Sequence, residues 1–450
     1  MRRIHAVGLM AGLAVFLAAA GSAVAAPEKT VLTLEACLDL ALLRNPQHLA
    51  VIERETAAEM QVREAAARFF PSLNAQGTHI LDEKLFTLEF PSFIPGEPPQ
   101  RVQVRFTKDY QFNVNFSLPL FAGGRVVSGY KAASFGLDAA RETVRESRHE
   151  TRFRVKQAFY GYLLARDFEA VAGEALGLAE KHLANVRALY EVGMTSRFDM
   201  LRAEVQASNL KPQVIRARNS LQIAELGLKT VVGLDLDQDV EFRGDLTFSE
   251  LEKDAEAAVA ESLSRRPEIQ RLAYQHRMAE EMVKTARASR LPTLALGGAY
   301  NIWADRFDFS KKTWQNFYSI NLVVNIPLFN GLSSHAEVGR SRAMLRELEH
   351  LRKGLSDLVR FEVRQALSNY SQAKETLLSQ EMNVEQAREA VRIAELNFSE
   401  GLATSLDVSA AQVALSQSLT NRSQALYDCA VSLAQLEKAV GAGREEKPRE

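Results

Sequence analysis

Two hydrophobic patterns alternate along the chain. Short segments carry apolar residues at every second position, which is the period of a β-strand with one apolar face. The clearest of these segments has apolar residues at Phe112, Val114, Phe116 and Leu118. Longer segments without proline mix Ala, Leu and Val with charged residues and predict helices, and the longest cover residues 126–192 and 333–399. The sequence therefore predicts a fold of long helices joined to a few short strands.

The two longest helical segments are too long for an ordinary globular domain. Fully helical, each would extend about 100 Å at 1.5 Å per residue, whereas helices of globular proteins usually have about 8–20 residues. Each segment ends at a glycine, Gly193 or Gly401, which suits a left-handed helix cap. Return helices are predicted from near Phe198 to Gly233 and from near Leu406 to Gly441. The result would be two helical hairpins whose tips lie far from the strands.

An internal repeat organises the chain. Leu118-Pro119-Leu120-Phe121 recurs 208 positions later as Ile326-Pro327-Leu328-Phe329, and matches continue at that offset to the end of the return helices. Each repeat is expected to contain a helix, two strands separated by a loop, a long helix and a return helix. We predict a signal peptide at 1–25, a first repeat at 26–233 with its strand pair in 72–121, an irregular connector at 234–254, a second repeat at 255–441 with its strand pair in 293–328, and a polar tail at 442–450.

The first repeat is longer than the second between its two strands. It carries 13 additional residues, which fall in or near 86–105, where four prolines cluster. Length variation belongs in exposed loops, so we predict an exposed loop there.

The first residues indicate the compartment. Arg2 and Arg3 precede an apolar stretch at 6–20 and the small-residue sequence Ala23-Val24-Ala25. These regions predict a secretory signal peptide that is removed before Ala26. The alternative is an uncleaved anchor, for which the apolar stretch is short. The net charge of −1 gives no indication of nucleic-acid binding.

The sequence shows no pattern typical of an enzyme or a metal site. Eight histidines are scattered without compact ligand spacing, and we find no phosphate-binding glycine loop and no nucleophile constellation. We therefore predict that the chain is not an enzyme and uses no cofactor or metal. Cys37 and Cys429 either form a disulfide in an oxidising compartment or are two separate buried small residues.

The alternating segments fit two kinds of sheet. A membrane barrel places apolar side chains toward lipid and polar ones toward water, and a soluble sheet with one face on a core has the same alternation. Four short strands cannot close a barrel within one chain, because known outer-membrane barrels begin at about eight strands. Lipid also tolerates no open sheet edge. If these strands lie in a membrane, several copies must combine to close the barrel.

In this order and spacing, the motifs resemble the TolC-like outer membrane factor family over about residues 31–441. The matching elements are Leu32-Thr33-Leu34-Glu35-Ala36, Arg44-Asn45-Pro46, Phe70-Pro71-Ser72-Leu73, the two Pro-Leu-Phe strand ends, and the Gly-x-x-(Ser/Thr)-x-x-Asp turns at Gly193 and Gly401. The resemblance implies an α+β membrane protein in which long helical hairpins form a periplasmic tunnel. It also implies a homotrimer, in which four strands from each protomer close one twelve-stranded β-barrel.

The resemblance further implies a function. Family members are passive outer-membrane exit ducts of tripartite efflux pumps or type I secretion systems, with a large periplasmic extension. The implied partners are a periplasmic adaptor, an inner-membrane pump of RND, ABC or MFS type, and outer-membrane lipid. Two alternatives remain: a soluble periplasmic coiled-coil protein such as the adaptor itself, and a secreted hydrolase on a helical scaffold.

The family's functional residues lie at the hairpin tips. Carried over by position, the adaptor-docking residues are Val192, Gly193, Met194, Thr195, Gly401, Leu402, Ala403 and Thr404. The periplasmic gate residues are Asp407 and its first-half equivalent Asp199. Three Asp407 side chains around a trimer axis would repel one another and favour cations. Alternatively, both aspartates only stabilise the first turn of a helix. Ala403 and Ala410 replace a basic and an acidic residue found in some members, so the closing contacts of the gate must differ.

Overall fold

The computed structural model describes residues 30–441, except for 83–84, 93, 97, 105–107, 249–253 and 309–313. The predicted signal peptide at 1–25 and polar tail at 442–450 lie outside the described residues. The helices are α1 Leu34–Arg44, α2 Pro46–Ala67, α3 Arg125–Glu191, α4 Arg197–Val232, α5 Ala255–Arg265, α6 Pro267–Ala288, α7 Ser333–Ser399 and α8 Ser405–Val440. The strands are β1 Thr30–Leu32, β2 Ser72–His79, β3 Phe86–Phe90, β4 Gln100–Val104, β5 Tyr110–Phe121, β6 Val240–Phe242, β7 Thr293–Ala304 and β8 Gln315–Asn325.

The helices of the two halves match in length. The long helices α3 and α7 each have 67 residues, and the return helices α4 and α8 each have 36. The same equality holds for α1 and α5, with 11 residues, and for α2 and α6, with 22. None of the described helices combines the length and the apolar character that crossing a membrane requires. The matched lengths support the predicted division into two repeats.

The prediction of a single helix at the start of each half is wrong, because a proline divides that helix in two. Pro46 begins α2, and the side chain of Asn45 caps it by accepting hydrogen bonds from the N–H groups of Gln47 and His48 at 2.9 and 3.1 Å. Pro267 begins α6 in the same way. The residue before a proline is driven out of the helical conformation, so each proline ends one helix and starts the next.

The prediction that the connector between the halves is irregular is wrong for part of it, because the connector contains the strand β6. Its strand β6 pairs in parallel with β1, with Val31 opposite Glu241. Phe242 is buried against Phe159 of α3, and their rings meet edge to face at 6.5 Å. The connector therefore forms part of a hydrophobic core in the middle of the molecule, together with α1 and the end of α4.

The four long strands form one antiparallel sheet in the order β2-β5-β7-β8. β8 ends at Asn325, so Pro327-Leu328 lies just beyond the observed strand, although the predicted strand pair extended to residue 328. The expected loop at 86–105 contains a hairpin of β3 and β4, with Leu88 opposite Val102. The α+β fold class is confirmed, and the hairpin is an addition that the sequence did not predict.

Helix α3 is the central element of the helical part. Its first half packs between α2 and α6, and Arg141 and Arg271 form ion pairs across these contacts with Glu55 and Glu146. Its second half packs between α4 and α8. The helices therefore lie side by side in one layer, with α2 and α4 at one edge and α7 at the other.

The turn that ends α4 requires a glycine. Gly233 has a φ of 80°, and a Cβ atom there would lie 2.7 Å from the carbonyl oxygen of Arg44. We expect Gly233→Ala to destabilise the protein by more than about 1 kcal/mol, because both the backbone conformation and the space oppose a side chain. Thermal melting of the purified protein would measure the loss.

The matched control is Gly227→Ala, inside α4, where a Cβ atom would meet nothing within 4 Å. This change should raise stability by about 0.5–1 kcal/mol, because alanine costs less conformational entropy in a helix. Equal effects of the two substitutions would contradict the role assigned to the Gly233 turn.

Candidate functional site

The first hairpin tip is a glycine-capped turn. Helix α3 ends at Glu191, and Gly193 takes a φ of 75°. The N–H of Met194 donates to the Leu189 carbonyl at 2.8 Å, and that of Gly193 donates to the Tyr190 carbonyl at 2.9 Å. This pair of bonds satisfies carbonyls that would otherwise lack partners at the helix end. The tip is therefore a rigid, closed turn.

The second tip has the same construction. Gly401 also has a φ of 75°, and the N–H of Leu402 donates to the Asn397 carbonyl at 2.8 Å. Thr404 then caps α8 in a reciprocal capping box with Asp407. The repeated sequence around the two glycines thus folds into two equivalent turns.

Both tips expose large apolar side chains. Val192 is 69% exposed, Met194 76% and Leu402 74%. Of the eight predicted docking residues, Thr195 and Ala403 are half-buried and the others are exposed: Val192, Gly193, Met194, Gly401, Leu402 and Thr404. Two apolar tips without cover in the protomer are suited to contact another protein.

The two predicted gate aspartates each bond within their own turn. The Ser196 hydroxyl lies 2.5 Å from Oδ2 of Asp199, and the Thr404 hydroxyl lies 2.6 Å from Oδ2 of Asp407. Hydrogen bonds from the hydroxyl and the backbone N–H of Thr404 hold the pKa of Asp407 below its usual value. The geometry therefore gives both aspartates the helix-capping role. Their role in a gate stays a prediction.

A buried histidine joins the two hairpins. His182 of α3 lies with Nε2 2.8 Å from the hydroxyl of Ser405, the first residue of α8. Its ring meets the ring of Phe398 edge to face, with centroids 5.1 Å apart. His182 lies nine residues before the end of α3, which corresponds to roughly 13 Å of helix. The second tip therefore contacts α3 well before the first tip begins.

No local pattern predicts this contact, because His182 and Ser405 are 223 positions apart in the sequence. Phe398 packs inside the protomer against His182. Tyr190, at the end of α3, is 38% exposed.

Charged pairs connect α3 to α8 nearer the middle of the molecule. Lys156 pairs with Glu437, and Lys438 pairs with Glu150. Partial burial acts to raise the pKa of Glu150, but hydrogen bonds from Lys438 and Arg154 hold it below its usual value. These pairs fix the last turn of α8 to α3. Cys37 and Cys429 are buried free thiols in different clusters, so the disulfide alternative is wrong.

The outer edges of the helical layer expose apolar side chains. On α4 these are Phe198, Leu201, Val205, Ile215 and Ile223. On α7 they are Leu351, Leu358, Phe361, Leu378, Met382 and Ile393. Rows of this length on opposite edges indicate a surface that other chains cover.

The sequence model of the outer membrane efflux protein family matches residues 37–234 and 258–442. The chain belongs to this family. It is 23% identical to the outer membrane protein TolC of Vibrio cholerae, with 88% of each chain covered. It is also 27% identical to the alkaline protease secretion protein AprF of Pseudomonas aeruginosa, over 67% of this chain and 63% of AprF.

The fold is shared with a solved family member. The crystal structure of the outer membrane protein VceC from Vibrio cholerae superposes with a TM-score of 0.74 at 18% identity, covering 92% of this chain and 97% of VceC. The predicted family, fold class and outer-membrane location are therefore confirmed. The chain is an outer-membrane efflux or secretion channel with a large periplasmic helical part, and its family consists of channel and transport proteins.

The His182 contact should depend on pH. Burial lowers the pKa of His182 below its usual 6.5. The hydrogen bond with Ser405 and the charge of Glu395 act to raise this pKa, but their effect is smaller. The packed tip therefore favours the neutral ring. The neutral ring stabilises the packed tip fully above pH 6.5, and this stabilisation is lost as the pH falls below that value. The reason is that His182 binds a proton more readily when the tip is unpacked than when it is packed. Hydrogen exchange around residues 178–186 and 405–412, corrected for intrinsic rates, should show weaker protection at pH 5 than at pH 7.5.

His182→Gln keeps a group that can bond Ser405 but does not titrate, so it should remove this pH dependence. His350→Gln, on an exposed face of α7, is the matched control and should leave it intact. An unchanged pH response in His182→Gln would mean that another group controls the tip.

Proposed function

We propose that the channel is a homotrimer in which each protomer contributes four strands to one twelve-stranded barrel. The observation that carries this proposal is the open sheet. Within the described residues, β2 and β8 each pair with another strand on one side only. An open edge leaves backbone N–H and C=O groups without partners, and in lipid each costs several kcal/mol. Pairing of β2 in one protomer with β8 of the next removes every edge.

The edges of the helical layer support the same arrangement. The exposed apolar residues of α4 and α7 lie on opposite edges of the protomer, so a ring of protomers brings one set against the other. Such head-to-tail contacts close when the rotation between protomers completes a circle. The ring encloses a periplasmic tunnel that continues the lumen of the barrel.

The hairpin tips are proposed to bind a periplasmic adaptor. Val192, Met194 and Leu402 supply apolar contacts, and the glycine turns hold these side chains in fixed positions. The adaptor in turn connects the duct to an inner-membrane pump of RND, ABC or MFS type. The duct itself is passive and performs no catalytic step, because the pump supplies the energy.

Asp407 and Asp199 are proposed to form the periplasmic gate. A ring of carboxylates in a narrow pore favours cations and repels itself, which gives a charge-dependent opening. The pKa of Asp407 lies below its usual value, so its charge persists in mildly acidic medium. The capping bonds to Thr404 hold the carboxylate in one orientation within the turn.

The subunit count tests the composite barrel. Full-length protein should be extracted from separated outer membranes in mild detergent and weighed by native mass spectrometry. We expect three chains per particle. A stable monomer would leave the edges of β2 and β8 without partners and would refute the proposal.

The gate is tested by recording currents in planar bilayers. Asp407→Asn removes the charge but keeps an oxygen that can accept from the Thr404 N–H, so folding of the tip should be preserved. We expect this variant, and more strongly its combination with Asp199→Asn, to reduce cation selectivity and to lower the open fraction, because the repulsion between the carboxylates is removed. Asp39→Asn, on the exposed face of α1, is the control and should change neither quantity. Wild-type currents in the double variant would show that the aspartates only cap their helices.

A further inference from the structure

The four strands of the large sheet differ from the rest of the chain in charge. β2, β5, β7 and β8 have 8, 12, 12 and 11 residues, and none of these residues is Asp, Glu, Lys or Arg. Such residues make up 25% of the whole chain. The polar residues of these strands are instead amides and hydroxyls, apart from His79 at the end of β2. The sheet is polar without being charged.

The strand register places the amides and hydroxyls on one face. Residues directly opposite each other in antiparallel strands share a face. One row across the sheet contains Asn74, Asn115, Ala299 and Ser319. The neighbouring rows contain Ser72, Ser117, Gly297 and Asn321 on one side, and Gln76, Asn113, Asn301 and Phe317 on the other. This surface is called the amide face below.

The opposite face is apolar. Its rows contain Leu73, Phe116, Gly298 and Ile320, and Ala75, Val114, Tyr300 and Tyr318. A membrane barrel turns its apolar face to lipid and its polar face to the water-filled interior. The amide face therefore lines the lumen if the protomers close a barrel as proposed above.

Side-chain packing keeps the amide face ordered. The amide of Asn321 lies across Gly297, where a Cβ atom would collide with it. Toward the end of the strands, the indole N–H of Trp303 donates to the side-chain oxygen of Gln315 at 2.8 Å. The Trp303 ring also packs against Phe317, with centroids 5.2 Å apart. The polar groups of this face are thus held in place by neighbouring strands.

We propose that the amide face makes the membrane section of the duct a charge-neutral, hydrogen-bonding passage, which admits cargo irrespective of the sign of its charge. This inference rests on the proposed trimeric barrel. A pore lined by charged rings sorts ions by sign, whereas amide and hydroxyl groups offer both donors and acceptors and carry no net charge. The cargo class that fits is a molecule rich in hydrogen-bonding groups, such as a peptide or a polyhydroxylated compound. Selection by charge is then confined to the helical section, where Asp199 and Asp407 lie.

Neighbouring residues on the two faces provide the test. Asn115→Cys lies on the amide face, and Val114→Cys, one residue away, lies on the apolar face. The native thiols contribute little background, because Cys37 and Cys429 are buried and burial raises their pKa to about 12 and about 11. Each variant, reconstituted in lipid bilayers, is treated with a cationic and with an anionic water-soluble thiol reagent. The adduct is measured by mass spectrometry, and the reversal potential is measured in a salt gradient.

We expect Asn115→Cys to react with both reagents at similar rates and Val114→Cys to react with neither. The cationic adduct should shift the reversal potential toward anion selectivity and the anionic adduct toward cation selectivity, by similar amounts, because the lining starts neutral. Asn113→Cys is a second variant on the same face and should behave alike if Asn115→Cys fails to assemble.

Three results would overturn the inference. Labelling of Val114→Cys in place of Asn115→Cys would mean that the amide face is not the lining. A strong preference of Asn115→Cys for one reagent, or clearly unequal shifts of the reversal potential by the two adducts, would mean that the barrel is not neutral. Channels that conduct normally in these cases would leave the proposed function standing, whereas a protein that forms no channels would refute both.

Discussion

The backbone of a strand in lipid must find all its hydrogen-bond partners within protein, and this requirement governs the whole architecture. One protomer provides a sheet of four strands, with β2 and β8 at its edges. Because lipid offers these edges no donors or acceptors, the sheet is complete only when neighbouring chains continue it. The lengths of the strands, their lack of charge and their placement between long helices all serve an assembly that a single chain cannot make alone.

The helical part meets a related problem in water. A helix of 67 residues cannot bury its apolar positions against one compact core, so α3 packs on different partners along its length. Small apolar clusters and ion pairs such as Lys438 with Glu150 recur at intervals instead. The apolar rows left on the outer edges are the helical counterpart of the open sheet edges. Strand pairing and helix packing therefore both require one neighbouring protomer at each of the two edges of a protomer.

Local signals in the sequence were sufficient for the long elements. The helix predicted at 126–192 is observed at Arg125–Glu191, because no proline interrupts it and Gly193 stops it. Contacts between distant residues were not predictable. Strands β1 and β6 have only three residues each and exist because they pair across the length of the first half. The bond from His182 to Ser405 also depends on how the hairpins pack, which no single segment encodes. At the candidate site, the turns and caps followed from local sequence, and the histidine did not.

The pairing of β1 with β6 has a consequence for how the chain matures. The buried residues of the core that contains this pairing lie between Leu32 and Phe242, and those of a separate core in the second half lie between Ala258 and Val440. Each half therefore holds the parts of its own nucleus. During export the leading half can condense as soon as β6 emerges, while the trailing half is still crossing the inner membrane. The contact between β5 and β7 then joins two partly formed bodies. Closing the first half over about two hundred residues adds little entropic cost compared with a shorter loop, because that cost grows only logarithmically with length.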